Sequence, residues 1–200
     1  MKVEFLFDFG SPNAYLAHKV IPEIEKRTGA KFEYVPILLG GIFKLTNNRP
    51  PMVAFGDVKG KMAYEMKETE RFIRRHAITT FKFNPNFPVN TLALMRMAVA
   101  AQEAGQFAPY VEAAFHHMWE APKKMDDPDV IRAALIESGL DADRLIAAAQ
   151  TPEVKQRLMA NTEAAASRGV FGSPSFFVGE ELFFGKDRLG EVEEEIRRAC

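Results

Sequence analysis

Along residues 3–9 the side chains alternate, with Val3, Phe5, Phe7 and Phe9 at one parity and Glu4, Leu6 and Asp8 at the other. This period of two predicts a β-strand buried mainly on one face. The pattern stops at Gly10. Ser11-Pro12 then supplies an N-cap followed by proline at the first helical position, and Tyr15, Leu16, His18, Lys19, Val20 and Glu23 continue a helix to about Gly29. Pro22 inside it invites a kink. A second extended stretch, Lys31 to Pro36, completes a β-α-β unit, which favours parallel pairing and a right-handed crossover.

From about Phe55 to Arg168 the apolar spacing changes to that of helices. It predicts them over Lys59–His76, Thr91–Ala104, Phe107–Glu120, Asp129–Ser138, Asp143–Ala149 and Glu153–Ser167, several opened by Asp-Pro or Thr-Pro. Strand patterning returns at Ser175–Val178 and Leu182–Phe184 around a Gly179-Glu180 turn, and an acidic helix runs from Asp187 to Arg198 with Asp187 as its expected N-cap. The economical architecture is α/β and thioredoxin-like. Residues 1–54 and 169–200 would form the thioredoxin-like domain, and 55–168 a large helical insertion domain.

Composition narrows the function more than the fold. Of 200 residues, 47% are hydrophobic and 26% charged, as expected of an ordinary globule rather than a disordered chain. Lys plus Arg number 26 against 27 Asp plus Glu, a net charge of −1 without a basic tract, so neither nucleic acid nor an anionic membrane surface is an expected partner. Glu4 and Asp8 interrupt the apolar stretch a signal peptide needs, and the expected location is the cytoplasm. The single cysteine, Cys200, is expected to be incidental and allows no internal disulfide. Glu112 and His116 have helical i,i+4 spacing beside His117, but no third ligand accompanies them and no metal is expected. Phe115, Trp119, Met95 and Met97 read as packing of the helical region, some of them also roofing the cleft.

Four motifs carry the chemistry: Asp8-Phe9-Gly10-Ser11-Pro12-Asn13-Ala14-Tyr15; Gly41-Ile42-Phe43-Lys44 with Asn48-Arg49-Pro50-Pro51; Val170-Phe171-Gly172-Ser173-Pro174; and Phe184-Gly185-Lys186-Asp187-Arg188-Leu189. In order and spacing they resemble the motifs of 2-hydroxychromene-2-carboxylate isomerases, and the set is similar to that of kappa-class glutathione transferases. Both groups lie in the DsbA-like branch of the thioredoxin superfamily. The resemblance spans essentially the whole chain.

DsbA-like oxidoreductases place a Cys-x-x-Cys pair at the start of the first helix, where amide groups and the helix dipole stabilise a thiolate. Here that window is Ser11-Pro12-Asn13-Ala14, so dithiol exchange is excluded while a ligand's thiolate can still be stabilised, with Ser11 donating to the sulfur. The resemblance implies glutathione as that ligand. It implies that Pro174 is cis, that Ser173 contacts the tripeptide through its main chain, and that Phe184, Gly185, Lys186 and Asp187 hold its γ-glutamyl end, with Asp187 on the amine. Asn48 matches a glutathione-contacting position, with Asn47 one register away. Lys44 and Arg49, with Asn48, would meet an anionic substrate. Asn86 and Phe87 stand where naphthalene-pathway isomerases carry a substrate-binding tyrosine.

The implied reaction converts a small aromatic carboxylate, 2-hydroxychromene-2-carboxylate, to trans-o-hydroxybenzylidenepyruvate: thiolate addition to a conjugated double bond, rotation, and thiolate expulsion. Two alternatives stand beside it, a kappa-like glutathione transferase or peroxidase and a non-catalytic glutathione-binding module. A homodimer is the expected assembly.

Overall fold

The computed structural model describes residues 2–199; Cys200 lies outside them. Strand β1 (Val3–Phe7) leads into helix α1 (Pro12–Thr28) and strand β2 (Phe32–Pro36). Ser11 caps α1 as expected, its Oγ accepting from the Ala14 amide at 3.2 Å, with Pro12 in the first turn. Gly29 ends the helix at φ 74°, a left-handed conformation that glycine adopts without a Cβ penalty.

The chain then passes through α2 (Leu39–Thr46), α3 (Pro51–Ala54), α4 (Lys61–Arg75), α5 (Leu92–Glu103), α6 (Phe107–Trp119), α7 (Pro128–Glu137), α8 (Ala142–Ala148) and α9 (Pro152–Ser167). It returns through β3 (Ser175–Val178), β4 (Glu181–Phe184), a 3-10 turn (Lys186–Arg188) and α10 (Leu189–Arg198). The sheet order is β2-β1-β3-β4. β1 and β2 are parallel, Val3 facing Phe32, whereas β3 runs antiparallel to both neighbours, with Val178 beside Val3 and Ser175 beside Phe184. This is a DsbA-like thioredoxin fold, mixed in the sheet and mostly helical overall.

Three details differ from the pattern of the sequence. β1 is buried on both faces, not mainly on one. Val3, Phe5 and Phe7 join the large core shared with α1, α5, α6 and α10, while Leu6 joins a smaller core with Ile37, Ile42, Ala165, Val170 and Phe177 beneath α2 and α9. Glu4 tolerates its cover because Lys2 and Arg168 reach it at 2.9 and 2.8 Å. Helices α2 and α3 form between β2 and residue 55, where the sequence pattern predicted no element. The acidic helix starts at Leu189, so Asp187 is not its N-cap; it lies inside the 3-10 turn entered at Gly185, whose φ is 95°.

Among the described residues no helix is long and apolar enough to cross a membrane.

Candidate active site

β1 ends pointing into the N-terminus of α1, and the chain between them is pinned from three directions by one carboxylate. Asp8 is buried, with Oδ1 accepting from the Gly10 amide at 2.8 Å and from Thr91 Oγ1 at 2.6 Å, and Oδ2 accepting from the Leu39 amide at 2.7 Å. Burial pushes its pKa above the ordinary value although all three donors oppose that shift. Asp8 thereby fixes the Gly10-Ser11 loop to the first residue of α2 and to the residue before α5.

Ser11, itself buried, sits at the end of that loop. Its hydroxyl donates to the Ser173 carbonyl at 2.8 Å, while the Asp8 amide donates to Ser173 Oγ at 3.1 Å. Two serines separated by 162 positions are therefore clasped across the mouth of α1. The Ser173-Pro174 bond is cis, as the sequence resemblance implied, and a second cis bond precedes Pro88, where none was expected.

The other segments adjoin this clasp in a chain of contacts. The Pro174 carbonyl accepts from the Gly185 amide at 2.9 Å. Phe184 leans on Phe171 with ring centroids 4.5 Å apart, and a Cβ on Gly172 would come within 2.6 Å of the Phe184 ring. Asn47 closes α2 in the left-handed region at φ 54°, and Asn48, the next residue, donates from Nδ2 to the Phe171 carbonyl at 2.8 Å. Of the two neighbouring asparagines, Asn48 is thus the one tied to the segment before Ser173. Lys186 is buried, its ammonium against both Asp187 oxygens at 2.9 Å and 5.2 Å from the Phe72 ring centroid on α4. Asp187 keeps an exposed side chain. Lys44 and Arg49 are exposed on and after α2, and among the described residues neither forms a salt bridge with another side chain.

An aromatic wall flanks the same loop. Trp119 Nε1 donates to the Phe9 carbonyl at 2.8 Å, and Phe81, Phe83 and Phe87 pack around its indole with centroids 5.9–6.2 Å away. Phe83 is exposed. On the far side of α1, Glu112 pairs with His18 at 3.0 Å and His116 with Glu120 at 3.0 Å, so the i,i+4 pair is split between two partners. Burial raises the Glu120 carboxyl, but hydrogen bonds from His116, Tyr15 and Lys19 outweigh it and hold the group down to about 2.

The sequence reading put Asp8 in the first motif without a role and counted Trp119 among residues packing the helical region and roofing the cleft; the structure gives Asp8 three donors and Trp119 the Phe9 carbonyl. The local signal for Asp8 was present, since aspartate two residues before glycine is the Asx-turn arrangement its Gly10 contact uses. Its other donors lie 31 and 83 positions away, beyond any local pattern.

As a chemical arrangement this is a helix N-terminus with a hydroxyl at its mouth, a carbonyl-bearing cis-proline segment opposite, an ammonium–carboxylate pair at one end and aromatic surface at the other. Such a constellation suits an extended ligand carrying a thiolate and charged ends.

Comparison with known proteins agrees with the fold. The DSBA-like thioredoxin domain matches residues 2–197. A 2-hydroxychromene-2-carboxylate isomerase of Sphingobium xenophagum is 30% identical over 191 residues, covering 96% of this chain and 95% of its own. Glutathione S-transferase kappa 1 of Homo sapiens is 26% identical, with 94% and 87% covered. A solved structure of 2-hydroxychromene-2-carboxylate isomerase superposes with a TM-score of 0.84 at 26% identity, over all of this chain and 96% of that one.

Proposed function

The chain belongs to the DSBA-like thioredoxin domain family and to its 2-hydroxychromene-2-carboxylate isomerase group, and from that premise we propose that it is a glutathione-dependent isomerase interconverting 2-hydroxychromene-2-carboxylate and trans-o-hydroxybenzylidenepyruvate. The observation that carries this reading is the Ser11–Ser173 clasp at the start of α1, set in a Ser-Pro-Asn-Ala window that holds no cysteine.

The residues present fit a thiol tripeptide. The positive end of α1 and the Ser11 hydroxyl suit a sulfur anion, the segment before β3 offers main chain to an extended peptide, and the exposed Asp187 carboxylate, with Lys186 buried behind it, offers a partner to the amine of a γ-glutamyl end. Bound glutathione would supply the nucleophilic sulfur that the chain itself lacks. Lys44 and Arg49 would receive the substrate carboxylate, Arg49 in bidentate fashion, and the Phe83–Phe87–Trp119 wall would take its ring, phenylalanine serving where the related isomerases use tyrosine. Helix-end amides and these cations would stabilise negative charge that develops on the substrate's keto-acid end.

The test is a paired assay of hydroxychromene isomerisation and aryl-halide conjugation, each with and without glutathione. Isomerisation that appears only with glutathione supports the reading. Conjugation alone would favour the kappa-like transferase, which the human relative's likeness brings into view. Binding without either activity would leave a glutathione-binding module, and absence of glutathione binding at millimolar concentration would remove all three.

A further inference from the structure

The cleft between α5 and α9 takes no part in the reaction proposed above. It is an open groove with a volume of about 460 Å³, inside the range of small-molecule sites. Its walls are mainly apolar, with Leu38, Leu92, Leu158 and Met159 among the lining residues. Two cations interrupt them: Arg96, one turn after Leu92 on α5, and Lys155 on α9, both half-buried.

These cations are not spent on the fold. Among the described residues neither is in a salt bridge, and Glu103, an acid near the end of α5, is taken by Arg157 at 3.4 Å. A guanidinium and an ammonium drawn partly out of water over an apolar lining favour a ligand with a compact anionic head and an apolar body. Arg96 can grip a carboxylate in bidentate fashion while the leucines cover hydrocarbon or a ring. An inorganic anion would leave the apolar wall unused, and a neutral apolar molecule would bury against two uncompensated charges.

The groove also abuts the scaffold of the reaction site. Leu38 precedes Leu39, whose amide bonds Asp8, and Leu92 follows Thr91, whose hydroxyl bonds Asp8. We propose that this groove is a second small-molecule site, selective for an apolar monocarboxylate and separate from the Ser11–Ser173 clasp. The inference stands on the groove alone and does not depend on the reaction proposed above.

Calorimetric titration of the full chain with cinnamate tests it, with cinnamyl alcohol as the uncharged counterpart. Saturable one-to-one binding is expected. It should weaken by about tenfold or more when the carboxylate is replaced by the alcohol or when Arg96→Gln and Lys155→Gln are combined, as loss of charge-assisted hydrogen bonds predicts. It should be indifferent to Ser11→Ala and to saturating glutathione. Thermal midpoint and circular dichroism establish that the double variant is folded; if it is not, Met159→Glu, which adds a repelling charge at an exposed rim position, should weaken cinnamate binding instead. No saturable heat, equal affinity for the alcohol, an unchanged isotherm in the folded variants, or competition by glutathione would each overturn the proposal.

Discussion

The Ser11 hydroxyl carries one hydrogen, and the Ser173 carbonyl holds it at 2.8 Å. Donation to a sulfur anion requires that hydrogen to leave the carbonyl, so the charge-assisted bond gained is offset by a neutral one given up. A hydrogen bond to a charged partner is worth about 1.5–3 kcal/mol and a neutral one about 1 kcal/mol. The exchange leaves about 0.5–2 kcal/mol, so Ser11→Ala should lose roughly 2- to 30-fold in turnover. The bound thiol's pKa should rise, readable as a shift in the pH at which thiolate ultraviolet absorbance appears. Asp8→Asn probes the other half of the loop. With its oxygen kept on Gly10 and Thr91, the amide nitrogen would face the Leu39 amide, donor against donor. Unfolding measurements should show a loss of about 1–3 kcal/mol, and a midpoint within 1 °C of wild type would show that the carboxylate does not bind the three elements together. Ser11 was legible because a serine-proline pair after a strand has a local meaning; Asp8 was legible as part of the first motif but not in its role, because two of its three donors are remote in sequence.

Between elements, the contact that shapes the cradle is the Phe184 ring lying over Gly172. The ring is partly exposed and can swing outward, so Gly172→Ala should cost little stability, within about 0.5 kcal/mol. Displacing it should weaken glutathione binding by roughly three- to tenfold, and thermal shift run beside calorimetry separates the two effects. If stability falls while affinity holds, Phe184 is packing and not part of a ligand surface. The strands were readable at this scale: β3 coincides with the Ser175–Val178 expected from patterning, and the six helices read between Lys59 and Ser167 appear within two residues of their ends. Helix α2 was not readable, because Leu39-Gly40-Gly41 carries two residues of poor helix propensity. Packing overrides propensity there. A Cβ on Gly41 would stand 3.0 Å from Thr162 on α9, so the glycine permits the close approach that seats Ile42 beside Leu6 and Phe177.

For the molecule as a whole, the first and last helices are stitched by charge. Arg27 of α1 meets Glu193 of α10 at 2.7 Å; that guanidinium, with Arg197, holds the Glu193 carboxyl down to about 2, against an ordinary 4.5. A carboxyl depressed in the folded state adds stability above its unfolded value, and the contribution fades as pH falls from about 4.5 through about 2. Because Arg27 is nearly half exposed, screening limits it to about 1 kcal/mol. Glu193→Gln should therefore melt about 2–4 °C lower than wild type at pH 7, with most of that gap closed by pH 2. A gap that persists in full at pH 2 would assign the effect to packing. The clasp between Ser11 and Ser173 has a consequence for synthesis. A ribosome delivers Ser11 early and Ser173 only after 161 further residues, so a nascent chain arrested before that point carries the helix end but not its opposing wall. On the proposed function, glutathione retention by chains arrested at successive lengths should be absent until the segment through Asp187 has emerged, so that ligand capture would time the arrival of the wall opposite α1.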